Sequence, residues 1–287
     1  MNINISSSAL GDTLAWVPYV EEYRRKKNVK VNLKCDYNEL FIKSYPDILF
    51  VDEMNNVDFD IGWFQKDRSR SDSRLQPLQK TASDTLGLDY REIKPKVDVP
   101  SGPRPFYQKY VCINTHSTAQ AKYWNNKSGW NEVISFLKSK DYIVIAIDKH
   151  KQFGNQSTGY VNNTPRGVLD ATGKIPLSER MHLINHADFF IGLGSGLSWL
   201  SWAVGTHVFL ISGFSKPFCE FSTNVSRIHN NSVCSGCFNT PDHVFDRGNW
   251  AWCPEKTGTN RMFECTKSIT GDFVINKIQN FLRNRHV

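Results

Sequence analysis

The sequence predicts an α/β protein of two lobes, each built on a mostly parallel sheet. Three features predict it. Short apolar strands alternate with helical stretches along most of the chain, the pattern of parallel sheets covered by helices. The stretch Lys94-Pro95-Lys96-Val97-Asp98-Val99-Pro100-Ser101-Gly102-Pro103-Arg104-Pro105 lacks apolar periodicity, and its repeated prolines split the series in two. Residues 219–265, rich in Cys, Asn, Gly, Trp and His and poor in aliphatics, interrupt the second series. The expected organisation is a lobe over 1–100 and a lobe over 106–287, the latter carrying 219–265 as a finger.

In the first lobe, residues 2–6 alternate as a short strand and run into the turn Ser7-Ser8-Ala9-Leu10-Gly11-Asp12. Leu14, Val17, Tyr19, Val20 and Tyr23 then recur at helical spacing, and Arg24, Arg25, Lys26 and Lys27 close the helix with the charge its C-terminus favours. Strands are expected at 29–35, 48–52 and 59–64, and a helix at 78–88. The second lobe reads as strand 110–114, helix 129–138, strand 142–147, helix 177–186, strand 189–191, helix 197–204, strand 208–211 and a closing helix 273–282. Folds of this kind bind ligands at the carboxyl ends of their strands, here in the cleft between lobes.

Composition narrows the partners. With 40% hydrophobic and 22% charged residues in 287, the chain has a globular composition. No run of eighteen apolar residues is present, so no membrane partner is expected. Met1-Asn2-Ile3-Asn4-Ile5 reads as a strand and not as a signal peptide, which makes a cytoplasmic setting the expectation. A formal charge of +7 and a pI near 9.0 favour anionic partners such as phosphates, nucleotides or nucleic acid, and equally describe an ordinary basic surface.

Four motifs carry chemistry. Cys234-x2-Cys237-x15-Cys253-x11-Cys265 has the logic of a four-thiolate tetrahedral site. A polar insertion of this length is expected to need a metal for its folding energy, and soft ligands suit zinc or iron. Gly192-Leu193-Gly194-Ser195-Gly196-Leu197-Ser198 joins a strand to a helix, so its small residues either admit a diphosphate to the helix N-terminus or make a tight turn. Ser117 and Thr118, with Lys122 four residues on, form a strand-end loop able to bind phosphate oxygens, or a solvated polar loop. Asp12, after the first strand, suits a general base or a helix cap. Asp58-Phe59-Asp60 has the Asp-x-Asp form of a metal motif, but Val57, Phe59 and Ile61 alternate with the acids as in a half-buried strand.

The order of Gly11-Asp12, then Ser117-Thr118-Ala119-Gln120-Ala121-Lys122-Tyr123-Trp124, then Gly196-Leu197-Ser198 resembles the ADP-heptose heptosyltransferases. The phrase Leu10-Gly11-Asp12-Thr13-Leu14-Ala15-Trp16-Val17-Pro18-Tyr19-Val20-Glu21-Glu22, the stretch 78–95 and the four cysteines resemble the bacterial autotransporter heptosyltransferases, which attach heptose to serine hydroxyls. The resemblance implies a GT-B-like fold, with an acceptor-side first lobe and a second lobe binding a nucleotide-diphosphate sugar. It implies Asp12 as the base, Lys122, Ser117 and Thr118 at the donor phosphates, and Gly194, Ser195, Gly196 and Leu197 as the diphosphate loop. It makes iron the metal at Cys234, Cys237, Cys253 and Cys265. The sugar the resemblance implies is heptose-like, from an ADP-sugar or related nucleotide-diphosphate sugar, although Gly194 and Trp199 stand where related enzymes of lipopolysaccharide synthesis often carry an acid and a histidine.

The expected reaction is an inverting transfer in which Lys122, Ser117, Thr118 and the amides around Ser195–Leu197 stabilise the leaving diphosphate, making a catalytic divalent ion unnecessary. The finger metal is expected to be structural, because four thiolates leave it no open position. A protein serine is the expected acceptor. The autotransporter enzymes have an additional N-terminal domain associated with acceptor capture, and this sequence starts almost at the Gly-Asp strand. DNA with hydroxymethylated bases is therefore the alternative acceptor, with Arg247, Lys256, Arg261, Lys267, Trp250 and Trp252 of the finger expected to meet it. The sequence leaves the assembly state open and allows a homo-oligomer.

Overall fold

A computed structural model describes residues 1–64 and 72–284. The first lobe holds a four-stranded parallel sheet in the order β3-β2-β1-β4, from β1 (Asn2–Ile5), β2 (Val31–Lys34), β3 (Ile48–Phe50) and β4 (Phe59–Ile61). Between β1 and β2 runs α1 (Leu10–Lys27), whose residues from Gly11 to Val20 are all buried. A helix buried this fully is apolar around most of its girth, which is why its apolar positions look crowded in the sequence. It ends at Asn28 in the left-handed region (φ 51°), whose N–H reaches Arg24 O. The helix expected at 78–88 is only α2 (Lys80–Thr85): Pro77 precedes it, and Gly87 at φ 63° ends it.

The stretch 94–105 has no regular secondary structure, as expected, but it is pinned to the first lobe. Asp98 accepts from Lys43 N at 2.7 Å and Ser44 Oγ at 2.6 Å, and Lys96 N donates to the Tyr45 hydroxyl.

The second lobe is a six-stranded parallel sheet, β12-β11-β10-β5-β6-β9. In chain order it comprises β5 (Tyr110–Ile113), α3 (Gly129–Ser139), β6 (Ile143–Ala146), β9 (Leu169–Asp170), α4 (Leu177–His186), β10 (Phe190–Leu193), α5 (Gly196–Val204), β11 (Val208–Ile211) and β12 (Val225–Ile228). A separate antiparallel hairpin, β7 (Gln152–Asn155) with β8 (Tyr160–Asn163), leaves between β6 and β9. Its largely polar strands carry no apolar alternation, so the sequence did not announce it. The finger closes on the short α6 (Glu264–Lys267), which carries Cys265, and α7 (Gly271–Asn284) follows. On β5, Tyr110 and Cys112 face one apolar cluster and Val111 and Ile113 the other, the mark of a strand buried on both faces.

Two corrections concern the finger. Val225–Ile228, inside the segment expected to break the rhythm, is an edge strand of the main sheet, so the irregular part begins after it. The segment also has an apolar centre, shared with Phe214 just ahead of it. Phe214, Phe238, Phe245, Trp252 and Phe263 pack together, with Phe214 and Phe238 rings 4.8 Å apart and Phe245 and Trp252 rings 5.1 Å apart. Aromatics supply the burial that missing aliphatics do not.

One core cluster runs through both lobes, from Ile3 and Leu14 to Trp199, Leu200 and Leu210. The lobes join where α1 and α5 cross at their N-termini. A Cβ on Gly196 would stand 2.8 Å from Leu10 Cβ and 3.0 Å from Gly11 N, and one on Gly11 would stand 3.2 Å from Trp199 Cδ1. A methyl group at Gly196 must push the helices apart. Gly196→Ala should therefore cost about 1–3 kcal/mol, read as a lower urea midpoint at unchanged slope; an unchanged midpoint would show that the crossing gives freely.

Candidate active site

Asp12 lies in the first turn of α1, 8% exposed. It does not cap the helix: the N-cap is Ala9, and the Asp12 carboxylate turns to other donors. Ser7 Oγ donates to Oδ2 at 2.5 Å, and Trp63 Nε1 donates to the same oxygen at 2.5 Å. Neither bond falls on Oδ1. Burial pushes the Asp12 pKa up. The Ser7 and Trp63 hydrogen bonds, then the charges of Lys122 and Arg247, pull against that rise.

Lys122 ends the helical turn Gln120–Lys122 beyond β5. Its ammonium lies over the Phe214 ring, 5.4 Å from the centroid. Burial lowers its pKa, and the nearby Asp12 and Glu220 carboxylates oppose that. The structure thus brings Asp12, Lys122 and the start of α5 into one place. Ser117 is buried and Thr118 exposed in the loop leading to Lys122.

The expected diphosphate loop is built differently from its sequence reading. Gly196 is small because α1 passes against it. A Cβ on Gly194 would meet Glu220 Oε1 at 3.0 Å, and Leu197 packs against the core. The Ser195 hydroxyl donates to Asn114 Oδ1 at 2.6 Å. Asn114 in turn donates to the buried Asp148, which also accepts from Thr115 N at 2.9 Å, Thr115 Oγ1 at 3.0 Å and His116 N at 3.0 Å. What the loop has to offer an anion is therefore the first amides of α5, which have no helical carbonyl to pair with.

Ser7, Trp63, Asn114 and Asp148 were not singled out from the sequence. Trp63, Asn114 and Asp148 follow closely on the carboxyl ends of β4, β5 and β6. That position was the available signal. Asp58 and Asp60 hold the β1–β4 edge, accepting from Asn2 N and Asn4 Nδ2 at 2.7 Å each, as strand residues should.

The finger reaches the site. Trp63 packs edge-on against Phe238 with ring centroids 5.8 Å apart, so the donor to Asp12 rests on the residue after Cys237. Arg74, 1% exposed, pairs with Asp72 at 2.7 Å and donates to the carbonyl oxygens of Phe238 and His243, while Asn239 donates to Arg74 O. The side chains expected to meet DNA are partly engaged. Trp252 is buried and donates to Val244 O, Trp250 donates to Gln120 Oε1 at 3.2 Å, and Arg261 pairs with Glu264 at 2.7 Å.

Among the described residues, no group of three or more His, Cys, Asp or Glu is disposed to hold a metal ion. The expected four-cysteine centre is thus not formed as a coordination site. The cysteines do act on one another. Burial first, then neighbouring acids and thiols, push Cys234 and Cys265 up to about 12 and Cys237 to about 11. Thiolates gathered this way repel unless a cation sits among them, so the donor set fits a thiophilic metal.

The model of glycosyltransferase family 9 (heptosyltransferase) matches residues 36–242. The chain belongs to this family. The autotransporter heptosyltransferases Aah of Escherichia coli and TibC of E. coli O78:H11 are 41% and 42% identical to it. Those alignments cover 98% and 99% of this chain and 75% and 73% of the relatives. BimC of Burkholderia thailandensis, an inactive autotransporter heptosyltransferase, is 30% identical over 93% of this chain and 65% of its own. The crystal structure of TibC, described as iron-containing and dodecameric, superposes with a TM-score of 0.92 at 40% identity, covering 98% of this chain and 76% of that one. TibC in complex with ADP-D-beta-D-heptose gives 0.94 at 39%, covering 99% and 76%. The E. coli ADP-heptose lipopolysaccharide heptosyltransferase II shares the fold, with a TM-score of 0.66 at 12% identity over 100% of this chain and 99% of that one.

In this heptosyltransferase, Trp63 should set the proton affinity of Asp12. Trp63→Phe removes a hydrogen bond that favours the carboxylate, so the Asp12 pKa should rise further above its ordinary value. With Asp12 acting as the base in its ionised form, the acid limb of the rate–pH profile should then move to higher pH. An unmoved limb would mean that Asp12 does not govern it.

Proposed function

We propose that this heptosyltransferase inverts the anomeric centre of a nucleotide-diphosphate heptose, with ADP-heptose as donor and a protein serine hydroxyl as acceptor. The observation that carries the reading is the buried Asp12, with both its hydrogen bonds on Oδ2, set beside Lys122 and the start of α5. Family membership alone does not give activity, because BimC is an inactive relative. The TibC complex with ADP-D-beta-D-heptose supports the donor, and the autotransporter relatives support a protein acceptor. The internal engagement of Trp250, Trp252 and Arg261 does not favour DNA.

Asp12 Oδ1 takes the proton of the acceptor hydroxyl as its oxygen bonds to the anomeric carbon. The bond from that carbon to the diphosphate breaks on the opposite face, and the electron pair leaves with the diphosphate. Lys122, Ser117, Thr118 and the amides at Gly196 and Leu197 receive the growing charge. Ser195 and Gly194 shape the loop, Ser195 through its bond to Asn114. The lobe bounds 1–100 and 106–287 are proposed to divide acceptor from donor binding.

Iron is proposed at Cys234, Cys237, Cys253 and Cys265, supported by the iron-containing TibC. When bound it would supply folding energy to the finger and no chemistry to the transfer. Dodecameric TibC supports assembly of this chain into a homo-oligomer.

Asp12→Asn should retain ADP binding and lose about 10²–10⁴-fold in transfer, measured with ADP-heptose and a serine-bearing acceptor protein. Near-normal turnover would remove Asp12 from the chemistry. About one iron per chain is expected from the four-ligand set, with Cys253→Ser losing metal and melting earlier. Wild-type protein free of iron and zinc and equally stable would refute the metal centre.

A further inference from the structure

We propose that Arg247 is a second phosphate-binding cation of the donor site, delivered by the finger to the side of Lys122. The inference rests on reading the Asp12–Lys122 centre as a site for a nucleoside diphosphate.

Arg247 stands in a tight turn closed by Asp246, whose carboxylate accepts from Gly248 N at 2.8 Å and whose carbonyl accepts from Asn249 N at 3.3 Å. Both flanks of that turn are fixed to the ground on which Lys122 stands. On one flank, Phe245 packs edge-on against Phe214 with centroids 5.4 Å apart, and Phe214 is the ring beneath the Lys122 ammonium. On the other, Trp250 O accepts from Gln120 N at 3.0 Å, and Trp250 Nε1 donates back to Gln120 Oε1. Gln120 begins the helical turn that Lys122 ends. A residue held between Phe245 and Trp250 is thereby held at the rim of the Lys122 site. Its charge is felt there: Arg247 acts on both Asp12 and Lys122.

The charge balance says what that cation is for. Arg261, elsewhere in the finger, is paired with Glu264, and Glu220, the other acid near Lys122, is paired with Arg227. Arg247 is exposed and has no ion-pair partner among the described residues. Among the described residues, Asp12 then faces two cations, Lys122 and Arg247, which repel each other and leave a surplus of positive charge. A diphosphate neutralises that surplus, and a guanidinium fork suits two phosphate oxygens at once. An arginine serving only to hold Asp12 would need no second cation next to it.

The test is calorimetric titration of the full, metal-loaded chain with ADP and with adenosine at low and high salt. Wild type, Lys122→Ala, Arg247→Ala and Arg247→Lys would be compared. Arg247→Ala should bind ADP about 10-fold or more weakly, the size of one charge-assisted hydrogen bond. Adenosine affinity, metal content and melting temperature should stay unchanged. The salt dependence of ADP binding should flatten, and Arg247→Lys should fall between. Wild-type ADP affinity in Arg247→Ala, with Lys122→Ala weakened, would overturn this inference and leave the donor site standing. Equal loss of ADP and adenosine in Arg247→Ala would also overturn it, because the contact would not be to phosphate. Unchanged ADP affinity in both alanine variants would overturn the donor-site reading and this inference with it.

Discussion

Gly11 and Gly196 stand so close that α1 and α5 meet with their N-termini almost touching, and no side chain fits between them. Each helix starts just beyond a strand, α1 after β1 and α5 after β10. Their meeting therefore sets the carboxyl ends of the two sheets face to face, which is where α/β folds bind ligands. It also brings two positive helix ends together, each worth roughly half an elementary charge. Such a place calls for negative charge, and the chain itself supplies only part of it. Asp12, one residue past Gly11, is that part.

Asp12 is held by opposing demands. Burial favours its neutral form, while Ser7, Trp63, Lys122 and Arg247 favour the carboxylate. The balance leaves a proton affinity above that of an ordinary aspartate, which makes it a stronger base. Its geometry is equally constrained. Two short bonds to Oδ2 fix the carboxylate plane and direct Oδ1 away from both donors. A side chain free to rotate in water would have neither property.

Much of the fold was legible because its strands and helices carry regular apolar periods. Leu177–His186 and Val208–Ile211 fall where the sequence placed them. The hairpin β7–β8 was not legible, since polar strands carry no period. At the site, Asp12 and Lys122 were readable as reactive types at strand ends. Gly196 was read for its smallness, but not for the neighbour that takes its space: α1 packs there, a contact between residues 185 positions apart that local sequence cannot show. Ser195 likewise looked free for phosphate, and only the fold reveals Asn114 as its partner. Trp63 was not singled out, yet its indole N–H is the polar handle that a buried tryptophan usually satisfies. Its acceptor is the carboxylate of Asp12.

The finger then has a place in the chemistry that its cysteines alone do not suggest. It enters after β12 and returns to α7, but its aromatic centre leans out of that path onto the first lobe. Phe238 backs Trp63, Phe214 carries Lys122, and the buried Arg74 guanidinium ties residues 72–74 to the backbone of Phe238 and His243. The guanidinium is held in place by its buried pair with Asp72, and breaking such a pair by removing one partner costs about 3–5 kcal/mol. The insertion thus backs Trp63, the donor to Asp12, and holds residues 72–74, while Phe214, just ahead of it, packs on Phe238 and carries Lys122. The four thiols lie in the same insertion, with Cys237 next to Phe238 and Cys253 next to Trp252. A metal that orders these cysteines would order the residues that back Asp12 and Lys122, without itself touching the sugar or its leaving group.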